Sequence, residues 1–144
     1  MVKLAKMIGI IERCIIQYRN KDQKELNING CLNPYFYVLS KKSGVTQDEL
    51  SKDLHINKSN ITRGIQFLKE YGYVDVRVDE SDKRVNRVYL NEQGKLVFQL
   101  IKEKTKKCNE KLLEGFSKEE IEQFDSLLSK LVANAERMCE YENI

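Results

Sequence analysis

The chain has 144 residues, the usual size of one domain, and this length can bury a core without disulfide or metal staples. Charged residues make up 33% of it but the formal net charge is only +3, so any affinity for nucleic acid must come from local placement of charge. Its four cysteines, at 14, 31, 108 and 139, never form a C-x-x-C pair, which excludes the ordinary zinc and thioredoxin patterns.

The first segment is too charged for a signal peptide or a membrane span, because Lys3, Lys6, Glu12 and Arg13 interrupt a short apolar run. We therefore expect a cytoplasmic protein with reduced thiols, without a metal, a cofactor or a membrane partner.

Apolar residues at helical spacing predict a first helix from near the start to about Glu25. They are Leu4, Ile8, Ile11, Ile15 and Tyr18. After a loop that contains Gly30, Asn33 and Pro34 resemble the N-cap and first turn of a second helix, which ends before Gly44.

Thr46 and Glu49 have the spacing of a capping box and predict a short third helix as far as Leu54. Asn57 then caps a fourth helix that runs to Tyr71. The turn between them, residues 55–57, has the length found in helix-turn-helix motifs.

The fourth helix has two distinct faces when its residues are placed 100° apart. The packing face carries Ile61, Ile65 and Leu68. The opposite face presents Ser59, Arg63, Gln66 and Glu70, with Asn60 and Thr62 beside them.

Strict alternation of valines with Asp75 and Arg77 predicts a strand, and Val88 and Leu90 resume the pattern after a polar tip at residues 79–84. This β-hairpin carries Lys83, Arg84 and Arg87. Asn91 then caps a long fifth helix that stops at Gly115. A second capping box, Ser117 with Glu120, opens the last helix.

This order predicts a mainly α fold with a small β-hairpin, a winged helix-turn-helix held between terminal helices. We expect a single domain over 1–144, with the winged core at about 34–90 and dimerisation helices at 1–30 and 92–144.

A helix sized for the major groove beside a basic ribbon indicates a reader of double-stranded DNA. Arg63 can fork onto guanine, and Asn60 or Gln66 can pair with adenine. Thr46 and Gln47 suit a phosphate clamp. A solvated helix or hairpin carries similar side chains, so it is their adjacency that favours DNA.

Three stretches resemble the MarR family of bacterial regulators, on its SlyA-like side. They are GVTQDELSKDLHINKSNITRGIQFLKEYGYV, DESDKR and VYLNEQG. The resemblance covers nearly the whole chain, and the family's aspartate-x-arginine wing motif falls on residues 82–84. Asn91, where the family often has threonine, and Lys83-Arg84, where it commonly has two arginines, are mild departures.

The resemblance implies that Asp82 supports the wing through a salt bridge to a basic neighbour while Arg84 enters the minor groove. Together with the residue pattern, it predicts DNA contacts from Thr46, Gln47, Lys58, Ser59, Asn60, Thr62, Arg63, Gln66, Lys83, Arg84 and Arg87.

The resemblance also implies a homodimer formed by intertwined terminal helices, most often a repressor on a pseudo-palindromic operator. The apolar stripes of these helices agree with a dimer, although they could also pack within one chain. Relatives often release DNA on binding a small phenolic or aromatic ligand. By resemblance such a pocket would lie near Ile11, Cys14, Tyr18, Tyr35 and Tyr37, residues that could equally belong to the core.

Two alternatives stay open. Cys14, four residues before Tyr18, could sense oxidants, as a first-helix cysteine does in some relatives, or could be an inert core residue on the apolar stripe of its helix. The winged helix could instead bind only another protein. An enzyme is not expected, because the sequence offers no obvious nucleophile for its single histidine, His55, and contains no motif of a phosphate-cradling loop or a metal-ligand cluster.

Overall fold

The structure is a computed structural model, and it describes residues 2–141. Two compact units make up the chain, Met1–Cys108 and Asn109–Ile144. The elements, in chain order, are α1 (Leu4–Asp22), α2 (Asn33–Lys41), β1 (Val45–Thr46), α3 (Gln47–Leu54), α4 (Lys58–Glu70), β2 (Val74–Val78), β3 (Asn86–Leu90), α5 (Glu92–Leu112) and α6 (Lys118–Tyr141). Residue 1 and residues 142–144, the ends of the predicted dimerisation segments, lie outside the described residues.

A small antiparallel sheet has the strand order β1-β3-β2. The hairpin of β2 and β3 was predicted, and its register pairs Val76 with Val88. β1 was not predicted. It pairs Val45 with Val88 and Thr46 with Arg87, and so joins the start of α3 to the base of the wing.

The core of the first unit lies between the sheet and the helices around it. Phe36, Leu50, Ile61, Leu68 and Val88 are completely buried there. Burying one such side chain contributes about 1.5–3 kcal/mol, so these contacts fix where α3 and α4 stand on the sheet.

The loop after α1 is more structured than the sequence indicated. It contains two 3-10 helices, Lys24–Leu26 and Gly30–Leu32, and it contributes Leu26, Ile28 and Leu32 to the core. Each helix is too short to produce a periodic pattern.

Asn33 is not the N-cap of α2, and that prediction was wrong. It is the first helical residue, its backbone is in the right-handed helical region, and its side chain is buried. Its amide exchanges two hydrogen bonds with the buried amide of Gln23: Gln23 Nε2 donates to Asn33 Oδ1 (2.9 Å), and Asn33 Nδ2 donates to Gln23 Oε1 (2.7 Å). The two buried side-chain amides satisfy each other's hydrogen-bonding groups. The Asn33 side chain is therefore not available to cap the helix.

The other predicted helix caps are present. In the second unit, Glu120 N donates to Ser117 Oγ (3.1 Å) and Ser117 N donates to the Glu120 carboxylate (2.9 Å), so a reciprocal capping box opens α6. Phe116 packs its ring edge-on against Phe124, with ring centroids 6.1 Å apart.

Within residues 2–141, no helix combines the length and the apolar composition that crossing a membrane requires.

Candidate DNA-binding interface

α4 presents a polar face to solvent because its opposite face is anchored in the core. Ile61, Ile65 and Leu68 are buried, as the spacing predicted. Asn57 caps the helix by accepting a hydrogen bond from Asn60 N (2.9 Å). The exposed residues are Lys58, Ser59, Asn60, Thr62, Arg63 and Gln66.

The polar side chains of α4 are held by one another. Arg63 Nη2 donates to Asn60 Oδ1 (3.1 Å), and Gln66 Nε2 donates to Glu70 Oε1 (3.1 Å). Such exposed contacts contribute little stability, so a stronger acceptor or donor on a base edge can replace them. The hydrogen bond to Asn60 holds the Arg63 guanidinium near the N-terminal half of α4.

α3 is set against α4 by polar contacts between their first turns. Lys58 Nζ lies 3.0 Å from the Asp48 carboxylate, and the Thr62 hydroxyl lies 3.5 Å from Gln47 Oε1. The turn between the two helices has His55 in the left-handed region (φ 54°), and the Ser51 hydroxyl donates to the Ile56 carbonyl (2.6 Å). The predicted helix-turn-helix is therefore present.

The capping box at the start of α3 is formed as predicted. Glu49 N donates to Thr46 Oγ1 (3.1 Å), and Thr46 N donates to Glu49 Oε2 (3.4 Å). Lys42 also donates to that carboxylate (2.9 Å), and this hydrogen bond lowers the pKa of Glu49 despite partial desolvation.

The wing tip holds an exposed cation, Arg84, in a tight turn. The side chain of Arg84 is 91% exposed. The backbone N (3.0 Å) and the Nε (3.2 Å) of Arg84 both donate to Asp82 Oδ1. The basic neighbour that the resemblance paired with Asp82 is therefore Arg84 itself. Lys83 is exposed beside it.

Arg87 differs from Arg84 in being directed toward protein groups. Its Nε donates to Asp79 Oδ1 (2.6 Å) and its Nη1 donates to the carbonyl of Gly44 (2.8 Å). The hydrogen bond and charge of Asp79 raise the pKa of Arg87, and the same hydrogen bond lowers the pKa of Asp79. The sequence had grouped Arg87 with the cations that contact DNA, but its guanidinium is already engaged within the protein.

The return side of the wing tip and the start of α3 line a common crevice of 210 Å³. Thr46, Gln47 and Asp48 form one side of it, and Arg84, Val85 and Asn86 form the other. Three predicted contact residues, Thr46 and Gln47 on one side and Arg84 almost forty positions later on the other, thus line the same crevice.

The five predicted pocket residues lie on two helices, with Ile11, Cys14 and Tyr18 on α1 and Tyr35 and Tyr37 on α2. Ile11 and Cys14 are exposed on α1, and Tyr18 is half-buried. Tyr37 packs edge-on against Phe98, with ring centroids 5.1 Å apart. Of the five, Tyr35 alone lines the 360 Å³ cavity beside α4.

The sequence missed the other residues of this cavity, which include Cys31, Gly64 and Phe67. Tyr35 is buried, and its hydroxyl donates to the Asn60 carbonyl (3.4 Å) in α4. Burial raises the pKa of both Tyr35 and Cys31, so both are protonated at neutral pH. Gly64 was the available signal, because a glycine inside an amphipathic helix often marks a close approach.

A family model described as the TFIIE alpha subunit matches residues 24–121, so this segment belongs to the family of that model. The segment contains the whole sheet and α2 to α5, but neither α1 nor most of α6. Similarity along the whole chain is therefore the better guide to the assignment.

The solved structure of the transcriptional regulator SlyA superposes with a TM-score of 0.90 and 26% identity, covering 97% of this chain and 99% of that one. The MarR protein of Peptoclostridium difficile gives a TM-score of 0.89 and 26% identity over 96% of this chain and 94% of its own. The chain belongs to the MarR family. As a MarR-family protein it is a DNA-binding transcriptional regulator.

Two further similarities agree with the MarR assignment. The HTH-type transcriptional regulator YybA of Bacillus subtilis is 27% identical over 138 residues, which are 96% of this chain and 92% of YybA. A putative MarR family regulator of Listeria monocytogenes, solved with a 26mer DNA, has the same fold, with a TM-score of 0.88 and 24% identity over 99% of this chain and 95% of that one.

Proposed function

We propose that the protein is a homodimeric repressor that binds a pseudo-palindromic operator through α4 and the wing. The observation that carries this proposal is that α4 exposes a polar face while its other face is buried, and that the exposed Arg84 lies across a crevice from the start of α3. The DNA complex of the Listeria relative supports the same use of the fold.

In this proposal α4 reads bases in the major groove. Arg63 forks onto guanine O6 and N7, while Asn60 and Gln66 pair with adenine, each bidentate pair giving about 1–3 kcal/mol of discrimination. Thr62 lies at the edge of the same face. Because Asn60 accepts from Arg63 in the free protein, base reading begins from side chains that are already clustered.

The phosphate contacts in this proposal come from the first turns of α3 and α4 and from the wing. Thr46 and Gln47 line the crevice below Arg84, where a backbone phosphate would meet helix N–H groups and a guanidinium. Lys58 and Ser59 extend this contact along α4. Lys83 and Arg84 supply the exposed positive charge of the wing, and Arg84 suits a narrow A·T-rich minor groove.

The apolar faces that each unit leaves exposed support the proposed homodimer. In the first unit, Leu4, Ile8 and Ile11 of α1 are each nearly half exposed. In the second unit, α6 exposes Phe124, Leu127 and Leu128. Apolar stripes of this kind mark protein interaction sites, and pairing would place two α4 helices on two half-sites about one turn apart. In this proposal residues 1–30 and 92–144 supply the dimer contacts and residues 34–90 the DNA contacts.

Release by a small aromatic ligand is supported by the Tyr35 cavity rather than by the pocket first expected. Phe67 and Tyr35 offer aromatic surface there, and Asn60 and Arg63 belong to both the cavity wall and the DNA-facing set. A phenolic acid bound in this cavity would therefore compete for side chains that read bases. Titrating salicylate into a preformed DNA complex tests this, and unchanged affinity at millimolar ligand would contradict it.

The experiment that tests the proposed function is a fluorescence-anisotropy titration of duplexes tiled from the DNA upstream of the protein's own gene. We expect tight, salt-sensitive binding to one tile, loss of discrimination at one base position in Arg63→Ala, and a salt slope lower by about one unit in Arg84→Ala. Binding by both variants that equals the wild type would contradict the assigned face. Binding no better than to unrelated duplex would favour a winged helix that recognises a protein.

A further inference from the structure

The wing is tied to the helix-turn-helix by a continuous set of hydrogen bonds centred on Asp79. Its Oδ1 accepts from Arg87 Nε, and Arg87 Nη1 donates to the carbonyl of Gly44, just before β1. Its Oδ2 accepts from the backbone N of Ser81 (3.1 Å) and of Asp82 (3.0 Å). One carboxylate therefore contacts the wing turn, the return strand and, through Arg87, the segment that leads into α3.

Arg87, the cation in this set of hydrogen bonds, is much less exposed than an arginine that is free to bind a phosphate. The side chains of Asp79 and Arg87 are 16% and 37% exposed, against 91% for Arg84. Arg87 lies opposite Thr46 in the sheet, and the charge of Glu49 adds to that of Asp79 in raising the pKa of Arg87. The positive charge of Arg87 is thus balanced by protein carboxylates.

We propose that Asp79 and Arg87 are positioning residues that fix the wing turn, and with it Arg84, relative to the start of α3. The inference rests on the proposed function, because it concerns how Arg84 and the Thr46–Gln47 segment reach the same DNA. Asp82, which the resemblance named as the wing support, acts locally on Arg84, whereas Asp79 connects the turn to the rest of the protein.

A purely electrostatic role and a positioning role of Asp79 predict opposite changes in DNA affinity when this residue is removed. Removing a carboxylate near DNA reduces repulsion and should tighten binding. If Asp79 positions the wing, Asp79→Ala should instead weaken operator binding by about threefold to fivefold, the effect of losing one ion pair. Glu80→Ala is the matched control, since it removes the neighbouring exposed carboxylate, and it should leave the affinity unchanged or raise it up to about twofold.

Salt dependence separates the two arginines. Arg87→Ala should weaken binding and lower the salt slope by clearly less than one unit, because Arg87 itself releases no phosphate counterion and Arg84 loses only part of its contact. Arg84→Ala should lower the slope by about one unit. A slope that falls by one unit in Arg87→Ala, or an Asp79→Ala variant that binds DNA more tightly, as Glu80→Ala does, would overturn the proposal.

Amide hydrogen exchange of the free protein provides a readout that needs no DNA. Asp79→Ala should accelerate exchange at residues 81–85, whereas Glu80→Ala should not, because the turn amides lose their acceptor only in the first variant. If the wild type failed to select any duplex, the proposed function would fail. Even then, unchanged exchange in Asp79→Ala would overturn the positioning role, and faster exchange would support the conclusion that Asp79 holds the wing turn.

Discussion

Tyr35 and Gly64 approach each other so closely that the side chain at 64 is limited to hydrogen. A Cβ at this position would lie 2.5 Å from Tyr35 Oη and 2.6 Å from its Cζ. The ring belongs to a buried core residue and cannot move as a flexible surface side chain would. This glycine therefore allows α2 and α4 to pack closely.

We predict that Gly64→Ala lowers the free energy of unfolding by about 1–3 kcal/mol through overpacking, although alanine is favoured over glycine in a helix by about 1 kcal/mol. In a Tyr35→Ala background the same change should no longer destabilise, because the ring is absent. Urea unfolding of the four proteins gives this double-mutant cycle. An equal loss in both backgrounds would rule out the contact as the cause.

Individual side-chain roles could be predicted from sequence only where local geometry determines them. The exposed and buried faces of α4 follow from the helical repeat, and they were predicted correctly. The partner of Arg87 lies at Gly44, 43 residues earlier, so no local pattern distinguishes Arg87 from Arg84. The pocket residues inferred by resemblance lie on α1 and α2, and of the five Tyr35 alone lines the cavity beside α4, a placement that sequence spacing does not contain.

At the scale of elements, the capping box of α3 makes the stability of the folded protein depend on pH in the acid range. Glu49 accepts from Lys42 and from Thr46 N, and the hydrogen bond from Lys42 is the main cause of its lowered pKa. A carboxyl group whose pKa is lower in the folded state than in the unfolded chain stabilises the protein at pH values above its ordinary pKa. That contribution is lost as the pH falls from about 4.5 through the folded pKa.

We therefore predict that Glu49→Gln flattens the pH dependence of stability below pH 4.5. Glutamine can keep the reciprocal contact with Thr46 but carries no titrating charge. Thermal unfolding midpoints measured between about pH 3 and pH 7 compare the variant with the wild type. Exposed Glu80→Gln serves as the control, and an identical flattening in that variant would contradict a specific role for Glu49.

Elements with a strong local signal were predicted, and elements held by distant partners were not. The caps at Thr46, Asn57 and Ser117 mark three helices because each cap is a local hydrogen bond. β1 is two residues long and exists because Val45 and Thr46 pair with β3. A strand of that length shows no alternation, and its partner strand begins some forty residues later.

At the scale of the whole molecule, the exposed apolar face of α1 predicts association. Ile8→Glu combined with Ile11→Glu should convert the proposed dimer into a monomer and weaken operator binding, since a charge is placed in each apolar contact. Sedimentation velocity measures the mass directly. Lys6→Glu combined with Gln17→Glu, at exposed polar positions of the same helix, should stay dimeric.

A monomeric wild type at micromolar concentration would contradict the dimer, whereas a dimer that persists in the Ile8 and Ile11 variant would contradict the role of the α1 face. The first outcome would leave the apolar faces of α1 and α6 to another partner. The second would move the contact to other residues.

Selection of binding sites from a pool of random duplexes tests the central claim most directly. If α4 reads bases in a two-fold dimer, the wild type should enrich a pseudo-palindrome with half-sites centred about 10 base pairs apart, one helical turn. Arg63→Ala should lose one preferred base pair from each half-site and keep the spacing. Enrichment of a single asymmetric half-site, or no enrichment over the starting pool, would contradict the claim.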